Sequence, residues 1–279
     1  MLDQLLRVIT LETAGPDLFR GDNMHPAAFR VYGGQVLAQA VSAALATVDQ
    51  DRSIHSQHAY FLRPGNASEP IDYAVERARD GNSFSSRRVV ALQQGKPILV
   101  SSMSFQLASR GDDYQPDMPD VAAPEDLPND RQVALDAGNL DEDFMITNGE
   151  DLDVRLVGPV EWDKPAPQGA RLQAWVRTNG SLPEDRHVHQ AMLAYFSDIY
   201  LIDACLMIHG RSYRDPGMQV ASLDHALWFH EDFHADQWLL LSMEAERVTG
   251  GRGLARGRFY TREGRLVATT MQEGLMRFR

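Results

Sequence analysis

The chain has 279 residues, 43% hydrophobic and 24% charged, which is an ordinary balance for a globular protein of one large domain or two smaller ones. Its formal net charge of −12 argues against a general nucleic-acid binder, because phosphate binding needs a basic face. A local basic pocket for a small phosphorylated ligand stays compatible with that total. The single cysteine, Cys205, excludes an internal disulfide and fits a reducing compartment.

The chain shows no sign of a targeting or membrane segment. The first ten residues carry Asp3 and Arg7 and lack the basic start and apolar run of a signal peptide. No apolar run approaches the roughly 20 residues of a membrane span. The last four residues, MRFR, do not form the Ser-Lys-Leu address. We therefore expect a soluble cytoplasmic protein with no membrane partner.

In the first half, residues 33–47 predict a helix, since Val36, Ala40 and Ala44 recur at helical spacing. A helix so rich in alanine can approach a sheet closely. The alternation and the turn residues that follow predict four strands, the last two of them joined by a turn at Gly95. These strands cover residues 55–62, 71–77, 85–93 and 98–106.

The composition then changes sharply. Residues 112–130 contain seven acids and four prolines but no basic residue. Such a stretch has too few apolar residues for burial in a core to offset the entropy lost on ordering, and its prolines disfavour regular structure. We interpret it as part of a linker over 111–149, between an N-terminal unit (1–110) and a C-terminal unit (150–279).

The second half repeats the pattern of the first. Residues 171–177 alternate as a strand, and the strongly apolar residues 191–202 predict a buried helix. The four strands predicted after them cover residues 222–229, 239–247, 253–261 and 265–276.

Both halves therefore run in the order helix, strand, strand, hairpin. Residues 58–62 align with 225–229, and Gly95 aligns with Gly264. The gaps between elements are too short for crossover helices, so the sheets should be largely antiparallel. We predict a duplicated α+β architecture, in which a helix packed on an antiparallel sheet occurs twice.

Asp198 is the only charged residue in the apolar stretch 191–202. A lone buried carboxylate costs several kcal/mol unless it is paired or protonated. One interpretation is an N-cap, with Ser197 and Asp198 starting the helix. The other is a carboxylate in an apolar pocket, whose raised pKa would make it a better base toward water.

Two further polar residues lie near strand positions. Gln272 is on the last predicted strand, where alternation alone does not say which face is inward. Ser222 opens the predicted strand 222–229. Asp224 and His225 cannot form a catalytic pair, since adjacent strand residues point to opposite faces.

Other signals are weaker. Arginines of the hairpins, including Arg87 and Arg88, suit phosphate oxygens but equally suit a solvated strand face. His187 and His189 share a face, and His230 and His234 are four apart, but no third ligand has compelling spacing. We predict neither a metal nor a cofactor.

Several motifs together resemble the acyl-CoA thioesterase II family. They extend over nearly the whole chain outside the acidic stretch. In this sequence they read VYGGQV at 31–36, HAYFLRPG at 58–65, RDGNSFSSRR at 79–88, SD at 197–198, SLDHALWFH at 222–230 and MQEG at 271–274.

The resemblance implies a double-hotdog fold and a catalytic trio that falls on Asp198, Ser222 and Gln272. Ser222 stands where some members have Thr. The matching first-half positions lack the trio, with Met103 at the place of Gln272 and the glycines near Gly34 roughly opposite Asp198. One working site per chain, between the halves, is expected. The family also tends to form homo-oligomers.

We therefore expect hydrolysis of a fatty acyl-CoA of medium to long chain, by one water that Asp198, Ser222 and Gln272 hold. Candidate substrate-binding residues are drawn from the helix start, the first strand and the hairpin: Gly33, Gly34, His58, Arg87 and Arg88. Two rival functions remain open. A hotdog hydratase or dehydratase would use a His such as His58 or His225 with an acid, and a non-catalytic acyl-CoA sensor would bind without turnover.

Overall fold

The computed structural model describes residues 2–278 except 137, 139–149, 159, 161–166, 168 and 214. The first half of the chain contains α1 (Leu2–Ile9), β1 (Glu12–Gly15), β2 (Leu18–Gly21), α2 (Gly33–Leu45), β3 (Arg52–Phe61), β4 (Ile71–Asp80), β5 (Phe84–Gln93) and β6 (Lys96–Leu107). The second contains α3 (Asp130–Asp136), β7 (Leu152–Leu156), β8 (Arg171–Thr178), α4 (Arg186–Phe196), α5 (Asp203–Met207), β9 (Met218–Ser222), β10 (Asp224–Phe229), β11 (Leu239–Thr249), β12 (Arg252–Thr261) and β13 (Leu266–Phe278).

The strands of the described residues form one sheet in the order β1-β2-β4-β5-β6-β3-β10-β13-β12-β11-β8-β7, with β9 attached to β13. Neighbouring strands run antiparallel, and the pair β3–β10 joins the two halves. The first six strands and the last six follow the same order, reflected about this central pair. This repetition confirms the predicted α+β double hotdog.

Helices α2 and α4 lie side by side on one face of the sheet. Nearly all of α2 is buried, and Ala40 and Ala44 have no exposed surface, as expected of an alanine-rich helix in close contact with its neighbours. The Tyr32 hydroxyl, next to the start of α2, donates to the carbonyl of Tyr195 near the end of α4. Arg186 at the start of α4 donates to the carbonyl of Gln50, beyond the end of α2. The helices are therefore antiparallel, and each end of the pair combines one helix start with one helix end.

Two predicted elements have wrong boundaries, and three strands have no predicted counterpart. The predicted helix over 191–202 is α4 followed by a turn and α5, because Ser197 ends α4 and Tyr200 has a positive φ of 54°. The predicted strand over 222–229 is two strands, interrupted at Leu223. The short strands β1, β2 and β7 are absent from the predicted elements. The first two are four residues long, whereas the five residues of β7 do alternate between apolar and polar.

The alignment of His58 with His225 is wrong by one residue. Gln57 pairs with Met103 and donates to the carbonyl of Leu37 in α2, so it faces the helices. His58 is exposed on the opposite face, where its ring meets Trp228. His225 is buried on the helix side, so its counterpart is Gln57. A shift of one residue on a strand exchanges the two faces.

The acidic stretch contributes to a second core, contrary to the expectation from its composition. On the side of the sheet away from α4, Met118, Val121 and Leu127 pack against a cluster of Trp175, Trp238, Leu240 and Tyr260. The Trp175 indole donates to the carbonyl of Ala122 at 2.9 Å. The acidic stretch thus covers apolar surface with its few hydrophobic residues while six of its seven acids are exposed. The seventh, Asp130, is buried and accepts from the Tyr200 hydroxyl. Residues 137 and 139–149 of the predicted linker lie outside the described residues.

No helix among the described residues is long and apolar enough to cross a membrane.

Candidate active site

Asp198 lies just beyond the end of α4. Ser197 is the C-cap, with its hydroxyl donating to the carbonyl of Ala194 at 2.8 Å. The N-cap of this helix is Asp185, which accepts from the backbone N–H of His187 at 2.9 Å. The interpretation of Asp198 as an N-cap is therefore wrong, and its carboxylate occupies a turn between two buried helices.

Ser222 and Gln272 reach Asp198 from two paired strands. Ser222 is the last residue of β9 and lies opposite Gly274 of β13. Along β13 the residues facing the helices include Thr270 and Gln272, which are 0% and 1% exposed. Gln272 therefore points inward, a question that strand alternation left open.

The three side chains meet at the amide nitrogen of Gln272. Its Nε2 donates to Oδ1 of Asp198 at 2.7 Å and to Oγ of Ser222 at 2.5 Å. A primary amide has two hydrogens, so one group can satisfy both acceptors. The structure thus brings together residues that are 24 to 74 positions apart in the chain.

Burial raises the pKa of Asp198 from 3.8 to about 6. Hydrogen bonds from Gln272, from the backbone N–H of Gly34 and from Ser222, together with the nearby charge of Arg30, oppose that rise. The side chain keeps partial exposure. At neutral pH the group is therefore an ionised carboxylate that solvent can reach, and its pKa suits proton transfer from water.

Gly33 and Gly34 begin α2 directly against this carboxylate. A Cβ on Gly33 would lie 2.6 Å from Oδ2 of Asp198, and one on Gly34 would lie 2.4 Å from the backbone oxygen of Tyr195. Both positions need glycine because the start of one helix approaches the end of the other. The backbone N–H of Gly34 donates to Asp198, and the positive end of the α2 helix dipole favours the negative charge of that carboxylate.

The other candidate substrate residues lie elsewhere. His58 is on the outer face of the sheet. Arg87 is 2% exposed, and its guanidinium is bound to Thr47, to backbone carbonyls and to Asp80 near the far end of α2. Arg88 is exposed and paired with Glu76. Arg87 has a structural role, and neither His58 nor Arg88 is near Asp198.

At the opposite end of the helix pair, the residues that correspond to Asp198 and Gln272 are of other types. Ala46 caps α2 as Ser197 caps α4, so Thr47 is the counterpart of Asp198. The sequence alignment of the two halves puts the glycines near Gly34 at the position that corresponds to Asp198. In the structure Gly34 is instead in contact with Asp198, to which its backbone N–H donates. Thr47 accepts from Arg87 at 2.8 Å, and the counterpart of Gln272 is the buried Met103. This end has neither the carboxylate nor the amide of the trio.

A possible metal-binding group occurs away from the trio. His189, His234 and Asp236 offer ligand atoms within 4.8 Å of one another. However, Nδ1 of His189 accepts from the N–H of Ala235 at 3.1 Å, so in the neutral ring the proton is on Nε2. A metal-bound histidine instead donates its second ring N–H. The geometry therefore does not suit a metal. Asp236 is the third residue of this group, which sequence spacing did not indicate.

A helix on an antiparallel sheet, repeated across a central strand pair and with one polar site at one end, defines a protein of the double-hotdog class. The family model described as "Acyl-CoA thioesterase" matches residues 160–275, and the one described as "Acyl-CoA thioesterase N-terminal domain" matches residues 21–106. The chain belongs to the acyl-CoA thioesterase II family. It is accordingly an acyl-CoA thioester hydrolase, as its sequence predicted.

Its relatives match over most of their length. The chain is 39% identical to "Acyl-CoA thioesterase 2" of Haemophilus influenzae, with 100% of this chain and 98% of that protein covered. It is 36% identical to "Acyl-coenzyme A thioesterase 8" of Mus musculus, with 98% and 88% covered. The solved structure of the acyl-CoA thioesterase II TesB2 from Mycobacterium marinum matches with a TM-score of 0.81 at 38% identity, covering 100% of this chain and 99% of that one.

Proposed function

We propose that Asp198, Ser222 and Gln272 hold one water molecule and direct it at the thioester carbonyl of a medium- to long-chain acyl-CoA. The observation that supports this is the meeting of all three side chains at Gln272 Nε2. The Gln272 amide positions the Asp198 carboxylate and the Ser222 hydroxyl, and the remaining lone pairs of their oxygens can accept both hydrogens of one water. Fixing that water against the substrate supplies part of the rate acceleration.

In this mechanism Asp198 is the general base. The water oxygen bonds to the carbonyl carbon as Asp198 takes its proton, which gives a tetrahedral intermediate. When the C–S bond breaks, the protonated Asp198 returns its proton to the departing CoA sulfur, and free fatty acid remains. No acyl-enzyme forms, and base catalysis supplies about 10²–10⁴-fold.

The oxyanion of the intermediate needs hydrogen-bond donors near the same carboxylate. We propose the backbone N–H groups at the start of α2, and Gly33 in particular, because the N–H of Gly34 already bonds to Asp198. Such a donor is typically worth about 3 kcal/mol to the transition state. The absence of a side chain on Gly33 also leaves the space next to Oδ2 of Asp198 for the reacting atoms.

The location of the histidines disfavours a hydratase or dehydratase mechanism. His58 is on the outer face, and His225 is 1% exposed with its Nε2 held by Ser197 and Thr270. Neither can reach a substrate at Asp198 as an acid or base. The intact trio likewise disfavours a sensor without turnover.

We further propose that the enzyme forms a homo-oligomer, which the resemblance to its family supports, and that it acts in the cytoplasm, which its single cysteine fits. Size-exclusion chromatography with light scattering measures the assembly. A monomer at micromolar concentration would contradict it.

Wild-type protein with acyl-CoA esters from short to long chain tests the proposed function. A thiol reagent follows CoA release, and absorbance of the enoyl bond follows any hydration. We expect stoichiometric thiol release, fastest for medium to long chains. An enoyl change without thiol, or tight binding without either signal, would favour the corresponding rival.

A further inference from the structure

His225 lies next to Gln272 on the side of the sheet that faces the helices. Ala226 of β10 pairs with Met271 of β13, so His225 and Gln272 occupy the next positions on these antiparallel strands. Both are 1% exposed. The Gln272 side chain contacts the imidazole, and this contact partly opposes the fall in the pKa of His225 that burial causes. The mechanism proposed above gives His225 no part.

The hydrogen bonds of the trio determine which way the Gln272 amide points. An ionised Asp198 can only accept, so Nε2 must face it and Oε1 must turn away. Within the described residues, Oε1 of Gln272 and Nδ1 of His225 are two buried atoms without a well-aligned hydrogen bond. An N–H at Nδ1 would satisfy both, because it would donate to Oε1.

The other ring nitrogen is compatible with that tautomer. Nε2 of His225 lies 2.8 Å from Oγ of Ser197 and 3.0 Å from Oγ1 of Thr270. The Ser197 hydroxyl lies 2.8 Å from both the carbonyl of Ala194 and Nε2, and it can share its hydrogen between them. The Thr270 hydroxyl can donate to Nε2, which places the proton of the neutral ring on Nδ1. Burial keeps the ring neutral by lowering its pKa to about 3.

We infer that His225 is a positioning residue, whose Nδ1–H holds Oε1 of Gln272 so that the amide nitrogen faces Asp198 and Ser222. The chain of donors runs from the Thr270 hydroxyl through His225 and Gln272 to the carboxylate. Without it, the amide can turn over and present an oxygen to the carboxylate. The two acceptors then repel each other, and the catalytic water loses its fixed partners. This inference rests on the proposed function of the trio.

Two substitutions separate the two ring nitrogens. In His225→Asn the side-chain amide nitrogen lies where Nδ1 was, so the donor to Gln272 remains. In His225→Gln the amide lies near Nε2, so that donor is lost. We expect kcat within about threefold of wild type for His225→Asn and a loss of about 10- to 10²-fold for His225→Gln, with KM little changed in both.

The pH profile gives a readout that a purely structural role would not produce. Because the amide N–H lowers the pKa of Asp198, its loss in His225→Gln should move the acidic limb of kcat/KM to higher pH, and His225→Asn should leave it in place. Nitrogen NMR of the wild-type ring should find the proton on Nδ1.

Each outcome decides the inference. Equal losses in both variants with an unmoved acidic limb, or a proton on Nε2 in the wild type, would overturn it. If either variant unfolds, the wild-type tautomer alone decides. Failure of the proposed function would appear separately, as turnover of Asp198→Asn close to that of the wild type.

Discussion

Replacing Asp198 with Asn should reveal a stability cost of this buried carboxylate. Burial raises the pKa of this group from 3.8 to about 6, so its ionisation is less favourable in the folded protein than in the unfolded chain. The penalty is absent below pH 3.8, grows between 3.8 and about 6, and is constant above. It amounts to about 3 kcal/mol at pH 7 and about 1.5 kcal/mol at pH 5, as upper values for a partly exposed group.

An asparagine at position 198 carries no charge and therefore has no ionisation penalty. Its amide nitrogen, however, would face groups that donate hydrogen bonds to Asp198 in the wild type. That mismatch costs about 1–3 kcal/mol and does not depend on pH in this range. We therefore predict that the stability of Asp198→Asn relative to wild type is about 1 kcal/mol more favourable at pH 7 than at pH 5.

Urea unfolding of both proteins, followed by circular dichroism at the two pH values, measures this difference. Asp185→Asn is the matched control, because asparagine caps a helix as well as aspartate does. An unchanged difference, or one that is more favourable at pH 5, would refute the reasoning that desolvation raises the pKa of Asp198.

Three further predictions concern the site and its supports. The kcat/KM of the wild type should fall tenfold per pH unit below about pH 6, since the base must be ionised, and a flat profile down to pH 5 would contradict this. Gly33→Ala should lower kcat by at least about 10-fold with the thermal midpoint nearly unchanged, because its Cβ would displace Oδ2 of Asp198; normal turnover would contradict it. Arg87→Leu should destabilise the protein by about 2–4 kcal/mol in urea but leave kcat per folded molecule unaltered, and lost turnover would instead indicate a role at the site.

Local patterns in the sequence were sufficient for the duplicated fold. The alanine spacing of α2 and the hairpins around Gly95 and Gly264 are properties of short segments, and the structure contains all of them. The boundaries that failed depend on distant partners. The sequence around Ser197 does not show that the buried helix ends there, because residues 199–202, beyond Asp198, are as apolar as those before.

The face of a strand residue also depends on distant contacts. Gln272 points inward because Thr270 and its neighbours pack against the helices, which alternation cannot reveal. For the same reason His58 and His225 aligned by type but lie on opposite faces. The order of the acidic stretch could not be predicted either, because the apolar surface on which it packs belongs to distant residues such as Trp175.

The steady-state turnover of a medium-chain acyl-CoA by Asp198→Asn tests the central claim most directly. With Asp185→Asn measured beside it, we predict that kcat falls by at least about 10²-fold for Asp198→Asn and stays at the wild-type value for the control. Turnover of Asp198→Asn close to that of the wild type would show that another group activates the water.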